Sequence, residues 1–146
     1  MKKTKRYLGA SFILAFLFCI ISIPAFAATN HFSFTMNRRY ISGDDTNTYH
    51  ILRNGDVFIT GSITSVKQNN NYGGSSPNPI IMNLYRSQTG PDKLCGKVEL
   101  GKKTKITFKD KKIGVADQTS SKYYLVIYKV EQDYWTSTGE GTLFNK

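Results

Sequence analysis

Nucleophiles and bases are scarce in this chain: its 146 residues hold two cysteines, Cys19 and Cys95, and two histidines, His31 and His50. A thiol becomes a useful nucleophile when a neighbouring base or cation lowers its pKa, and Cys95 with His50 is the pairing on offer. No Gly-x-Ser-x-Gly elbow, His-Glu-x-x-His helix, Ser-x-x-Lys pair or phosphate loop accompanies them. Catalysis has the least support, and a non-enzymatic protein without a cofactor is expected. Oxygen ligands gather in Gly43-Asp44-Asp45-Thr46-Asn47-Thr48, without the Asp-x-Asp-x-Asp-Gly spacing and distal Glu of a calcium loop. Asp and Asn favour turns by bonding to nearby backbone, so the expectation there is a turn without metal.

Charge is the feature that departs from average. Eight lysines lie between Asp92 and Lys112, against Asp92, Glu99 and Asp110. If 94–100 and 104–109 form a hairpin about Gly101-Lys102-Lys103, then Lys97, Lys105 and Lys109 share its outer face, extended by Lys102 and Lys103. Such a face concentrates polyanions, and the expected partner is an anionic cell-wall polymer or an anionic lipid surface. The competing reading is an edge hairpin whose lysines prevent edge-to-edge aggregation. Sequence-specific binding of nucleic acid is not expected, because no aromatic platform interleaves with these lysines. A second candidate surface joins Tyr134 and Trp135 to Tyr72 and the Asn-rich loop 68–78. Flat aromatic faces with amides suit glycan contacts, although the single tryptophan of a small sandwich is usually core.

These residues need a scaffold, and the chain has two unlike parts. Met1–Arg6 is basic, Tyr7–Ile23 is apolar, and Pro24-Ala25-Phe26-Ala27 supplies small residues at −3 and −1 of a cut after Ala27. This is the three-part pattern of a secretory signal peptide over 1–27, leaving a single domain over 28–146 that is secreted, extracellular or wall-associated. The domain carries 16 basic and 10 acidic side chains. Cys19 leaves with the leader, so no internal disulfide is available and the core must hold the domain together. Alternation puts Cys95 outward with Lys97 and Glu99, as a candidate intermolecular thiol that could link a homodimer. The basic head, the lack of a disulfide and the lack of an Asn-x-Ser/Thr glycan acceptor fit export by a bacterium.

Periodicity in the domain is two. Phe32, Phe34 and Met36 alternate with polar residues; Ile80, Met82 and Leu84 alternate with Ile81, Asn83 and Tyr85. Leu94, Gly96, Val98 and Leu100 alternate with Cys95, Lys97 and Glu99, and Ile106 and Phe108 alternate with Lys105, Thr107 and Lys109. Tyr123–Tyr128 is apolar on both faces, as a central strand should be. Asn54-Gly55 reads as a type I′ hairpin turn, with Arg53 opposite Asp56 and His50 opposite Ile59. The expected fold is all-β, one antiparallel β-sandwich of about eight strands. Asn83-Leu84-Tyr85 and Lys122-Tyr123-Tyr124-Leu125-Val126 resemble strands of secreted bacterial modules of the prepeptidase C-terminal type. The acidic residues usual before the first of these strands are missing, and membership is not assigned. The functional expectation is binding of anionic or glycan components at the bacterial envelope. A membrane-active antimicrobial effector is the alternative, and a Cys-dependent enzyme comes last.

Exported protein is expected to begin at Ala28. Intact mass of secreted material checks this, and a membrane-held species retaining Met1–Ala27 would overturn it.

Overall fold

The computed structural model describes residues 30–68 and 74–146. The expected leader lies outside them. The described residues form nine strands and no helix: β1 (Asn30–Met36), β2 (Tyr40–Ser42), β3 (His50–Ile51), β4 (Gly55–Lys67), β5 (Ile80–Arg86), β6 (Lys93–Glu99), β7 (Lys105–Ala116), β8 (Lys122–Lys129) and β9 (Trp135–Asn145). They build two antiparallel sheets packed face to face. The first sheet has the order β1-β9-β4-β7; the second has β2-β8-β5-β6, with β3 also paired to β8. The all-β sandwich is the fold that the alternation predicts.

Alternation also decides what is buried. Phe32, Phe34 and Met36 of β1, Val57, Ile59 and Ile63 of β4, and Leu143 of β9 point into the core from the first sheet. Ile80, Met82 and Leu84 of β5, with Tyr123, Leu125 and Ile127 of β8, meet them from the second. Each such side chain stabilises the fold by roughly 1.5–3 kcal/mol. One row across the first sheet is unusual. Phe32 pairs with Gly141, Gly141 with Gly61, and Gly61 with Phe108. A Cβ on Gly141 would sit 2.7 Å from the Phe32 ring, and one on Gly61 would sit 3.0 Å from the Phe108 ring. The outer phenylalanines therefore fold over two central glycines, which have no side chain to displace them.

Two expected hairpins do not form. β4 is thirteen residues long and has β7 on one edge and β9 on the other. No edge is left for residues 48–53, so β3 joins β8 instead, with His50 opposite Tyr123. Asn54-Gly55 becomes a corner between sheets. Gly55 keeps the positive φ (129°) that the turn demanded. The Asn145 amide clamps this corner: its oxygen accepts from Arg53 N at 2.9 Å, and its nitrogen donates to Arg53 O at 2.8 Å.

The lysine hairpin is the second correction. β6 pairs with β5 and β7 pairs with β4, so residues 100–104 cross from one sheet to the other. Val98 and Leu100 face the core from one wall while Ile106 and Phe108 face it from the opposite wall. The two edge strands still meet. A Cβ on Gly114 would lie 2.5 Å from Cys95 O and 2.9 Å from Gly96 Cα, so paired glycines let the backbones touch and close this side of the sandwich.

At one end sits a buried ion pair. Lys129 is 1% and Asp133 6% exposed. Lys129 Nζ lies 2.7 Å from Asp133 Oδ1 and donates to Trp135 O at 2.6 Å. Asp133 also accepts from the backbone N–H of Asn78 at 2.7 Å and of Trp135 at 3.0 Å. Asp133→Ala is expected to lower stability by about 3–5 kcal/mol, since it strands a buried ammonium. Adding Lys129→Met should recover part of this, leaving the cost of two unpaired N–H groups, as read by denaturant unfolding.

Candidate functional site

The window 92–112 keeps its lysines at the surface, but on two sheets. Lys97 stands on β6 of the second sheet, Lys105 and Lys109 on β7 of the first, and Lys102 and Lys103 in the connection between them. They border the closed edge from both sides instead of sharing one hairpin face. The other three lysines of the window have partners. Lys93 lies 2.6 Å from Asp117, Lys112 lies 2.8 Å from Asp56, and Lys111 donates to Glu99 O at 3.1 Å. Among the described residues Lys97, Lys102, Lys103, Lys105 and Lys109 make no ion pair. Asp117 also holds Arg86 at 2.7 Å. The Lys93 hydrogen bond, helped by the Arg86 charge, keeps its carboxyl below the usual range despite an opposing desolvation.

Cys95 differs from its expected placement. A β-bulge opposite Leu84 and Tyr85 pairs Gly96 with Leu84 and Leu94 with Tyr85, leaving Cys95 as the extra residue. The slip turns Leu94 outward and packs Cys95, half-buried, against the core. Burial first, then the Asp117 charge, push its thiol pKa up, away from a reactive thiolate. His50 is on β3, and β8 and β5 separate it from β6. Three strand spacings amount to roughly 14 Å, too far for a thiol–imidazole pair.

Two of the three aromatic candidates, Tyr134 and Trp135, lie among the described residues. Trp135 is 7% exposed, and its Nε1–H donates to Gly74 O at 3.4 Å, so the ring is packed inside and not offered at the surface. Tyr134 is partly exposed with φ at 57°. Tyr72 lies outside the described residues. The Asp44 and Asp45 carboxylates accept hydrogen bonds from the Tyr49 and Tyr40 hydroxyls, the latter at 2.7 Å. Tyr49 packs edge-on against Tyr124 at 6.1 Å, and Tyr124 stacks on Tyr85 at 5.6 Å and donates to Asp92 at 2.6 Å, so these three rings form an aromatic cluster on the second sheet. Asp44 and Asp92 border this cluster, and Lys122 Nζ lies 5.1 Å over the Tyr49 ring, so it carries charges of both signs.

A feature missed from the sequence is a groove of about 810 Å³ on the first sheet, lined by hydroxyl side chains together with Glu140, Lys109, His31 and the Phe32 and Phe108 rings. Its signal was the period-two recurrence of Thr60-Ser62-Thr64 and Thr138-Glu140-Thr142. Only the register places those residues side by side.

No known family matches the chain, and no curated protein does. The chain is similar to a solved structure, a mitogen from Yersinia pseudotuberculosis, at 14% identity over 82% of this chain and 87% of that one, with a TM-score of 0.35. That likeness assigns no activity.

His50 yields a pH prediction. Burial alone lowers its pKa below the ordinary value of 6.5. The unfolded chain therefore takes up a proton that the folded chain refuses. This contribution is fully present above about pH 6.5 and declines below it by up to about 1.4 kcal/mol per pH unit. His50→Leu should flatten the stability profile between about pH 6.5 and 5, measured by denaturant midpoints.

Proposed function

We propose that this protein is a secreted, non-enzymatic β-sandwich that binds an anionic polymer of the bacterial cell envelope through the lysines bordering its closed edge. One observation carries the reading: of the window's eight lysines, five are exposed and make neither an ion pair nor a side-chain hydrogen bond among the described residues, Lys93, Lys111 and Lys112 being the three engaged. Unpaired surface ammonium groups on neighbouring strands raise the local potential by several kT, which draws in phosphate- or carboxylate-bearing chains. Edge protection alone does not account for them, because β6 and β7 already cover one another at Gly96 and Gly114. The raised Cys95 pKa and its separation from His50 support a binding role over a catalytic one.

A membrane-active reading has one observation in its favour. Leu94 and Val115 are 51% and 44% exposed, and they flank the Gly96–Gly114 contact from β6 and β7. Two apolar side chains beside a basic border suit an anionic lipid surface.

The triple change Lys97→Gln, Lys105→Gln and Lys109→Gln is expected to leave folding nearly unchanged, at less than about 0.5 kcal/mol per site. Retention on purified cell walls should fall sharply. The unchanged protein should elute as salt shortens the Debye length from about 10 Å at 0.1 M to about 3 Å at 1 M. Arg38→Gln with Arg39→Gln is the control outside the window. Equal loss per charge from both sets would mean that only net charge acts. Leakage from anionic vesicles, abolished by Leu94→Asn with Val115→Asn, would favour the membrane reading.

A further inference from the structure

The groove on the first sheet is built from ordered rows of polar side chains. Ser33 of β1, Glu140 of β9, Ser62 of β4 and Thr107 of β7 are paired across four strands. His31, Thr142 and Thr60 form the next row, in which the Thr60 hydroxyl is already engaged, donating to Asp110 Oδ1 at 3.3 Å and accepting from Asp110 N at 2.9 Å. The floor is the Gly61–Gly141 pair, where the backbone rests against the Phe108 and Phe32 rings. Glu140 is exposed and makes no ion pair among the described residues. Lys109 lines the β7 side of the groove, and Lys105 stands outward on the same strand.

We infer that this groove binds a saccharide segment of an acidic polysaccharide, with ring hydroxyls over Glu140 and acidic substituents reaching Lys105 and Lys109. The lysine contacts rest on the polyanion reading proposed above; the Glu140 contacts do not. Three features select this occupant. An ionised carboxylate is an acceptor only and needs donors, which the hydroxyls of a sugar ring supply. The flanking serine and threonine hydroxyls both donate and accept, and strands roughly 4.8 Å apart present them at intervals suited to the two sides of a sugar ring. The negative charge at the centre repels acidic groups, while Lys105 and Lys109 attract them because Lys146, 3.1 Å from Asp110, neutralises the carboxylate on that margin. The ligand must therefore be neutral in its middle and anionic at its β7 side. Apart from the phenylalanine rings in the floor, the lining holds no large apolar side chain, which disfavours a lipid chain or an apolar peptide.

The probes are a soluble uronic-acid polysaccharide and inorganic polyphosphate, which carries charge without hydroxyls, compared with the exported chain at one salt concentration. The unchanged protein is expected to bind the polysaccharide more tightly per charge than polyphosphate. Glu140→Ala should weaken polysaccharide binding about tenfold, the scale of losing a hydrogen bond to a charged group, and should not weaken polyphosphate binding. Ser62→Ala, which removes one hydroxyl of the same row, should shift binding in the same direction by a smaller factor and guards against misfolding of the first variant. The Lys97, Lys105 and Lys109 set should weaken both polymers. Unchanged polysaccharide binding in both Glu140→Ala and Ser62→Ala would overturn the inference, as would equal loss on both polymers. If the lysine set changes neither polymer, the polyanion reading fails, and the groove is then judged on the Glu140 and Ser62 variants alone.

Discussion

A row of four residues, Phe32-Gly141-Gly61-Phe108, sets the shape of the first sheet. Two glycines occupy adjacent inward positions on its central strands, where a core side chain would normally stand. Their vacancy is filled from the sides by rings on the two outer strands. Neither part works alone. A side chain at either glycine would collide with backbone of the neighbouring strand, 2.5 Å from Thr60 O at Gly141 and 2.8 Å from Gly141 Cα at Gly61. Glycines without the rings would leave a void under the sheet, with a cost that grows with its volume. The same arrangement acts on the opposite side of the backbone, since the glycine pair forms the floor of the groove. Core packing and candidate ligand surface are two faces of one constraint.

A second pair of glycines performs a different task at the margin. Gly96 and Gly114 let β6 and β7 touch, and this contact brings one edge strand of each sheet together. Three of the window's eight lysines are engaged by Asp117, Asp56 and the Glu99 carbonyl, and the remainder keep their hydration and their field. At one end, Lys129 and Asp133 show the opposite use of charge. Buried together, they tie the β8–β9 connection to Asn78 and Trp135, so this end depends on hydrogen bonds where the core depends on area.

Much of this was legible residue by residue. Strict alternation from Phe32 to Met36, the spacing of Ile80, Met82 and Leu84, and the doubly apolar Tyr123–Tyr128 report a two-sheet β protein because a strand shows one face to the core at every second residue. The same rule located the exposed lysines. It failed at Cys95, where a bulge inserts one residue and reverses the parity, a local event that no side-chain pattern announces. It failed also at the two expected hairpins. Asn54-Gly55 is a turn in either structure, and Gly55 adopts positive φ in a corner as readily as in a hairpin.

The sequence by itself determined the class of the fold, the inward and outward sides of most strands, and the excess of lysine between 92 and 112, because these depend on local period and composition. Tertiary structure decided which strands are neighbours. β4, thirteen residues long with both edges taken, could not accept residues 48–53 as a partner, and the chain from 100 to 104 crossed between walls because its flanking apolar residues fill one core from opposite sides. Strand neighbours in turn decided the site. Ser33, Ser62, Thr107 and Glu140 are as much as 107 residues apart in the chain, and only a shared register across four strands turns them into one surface.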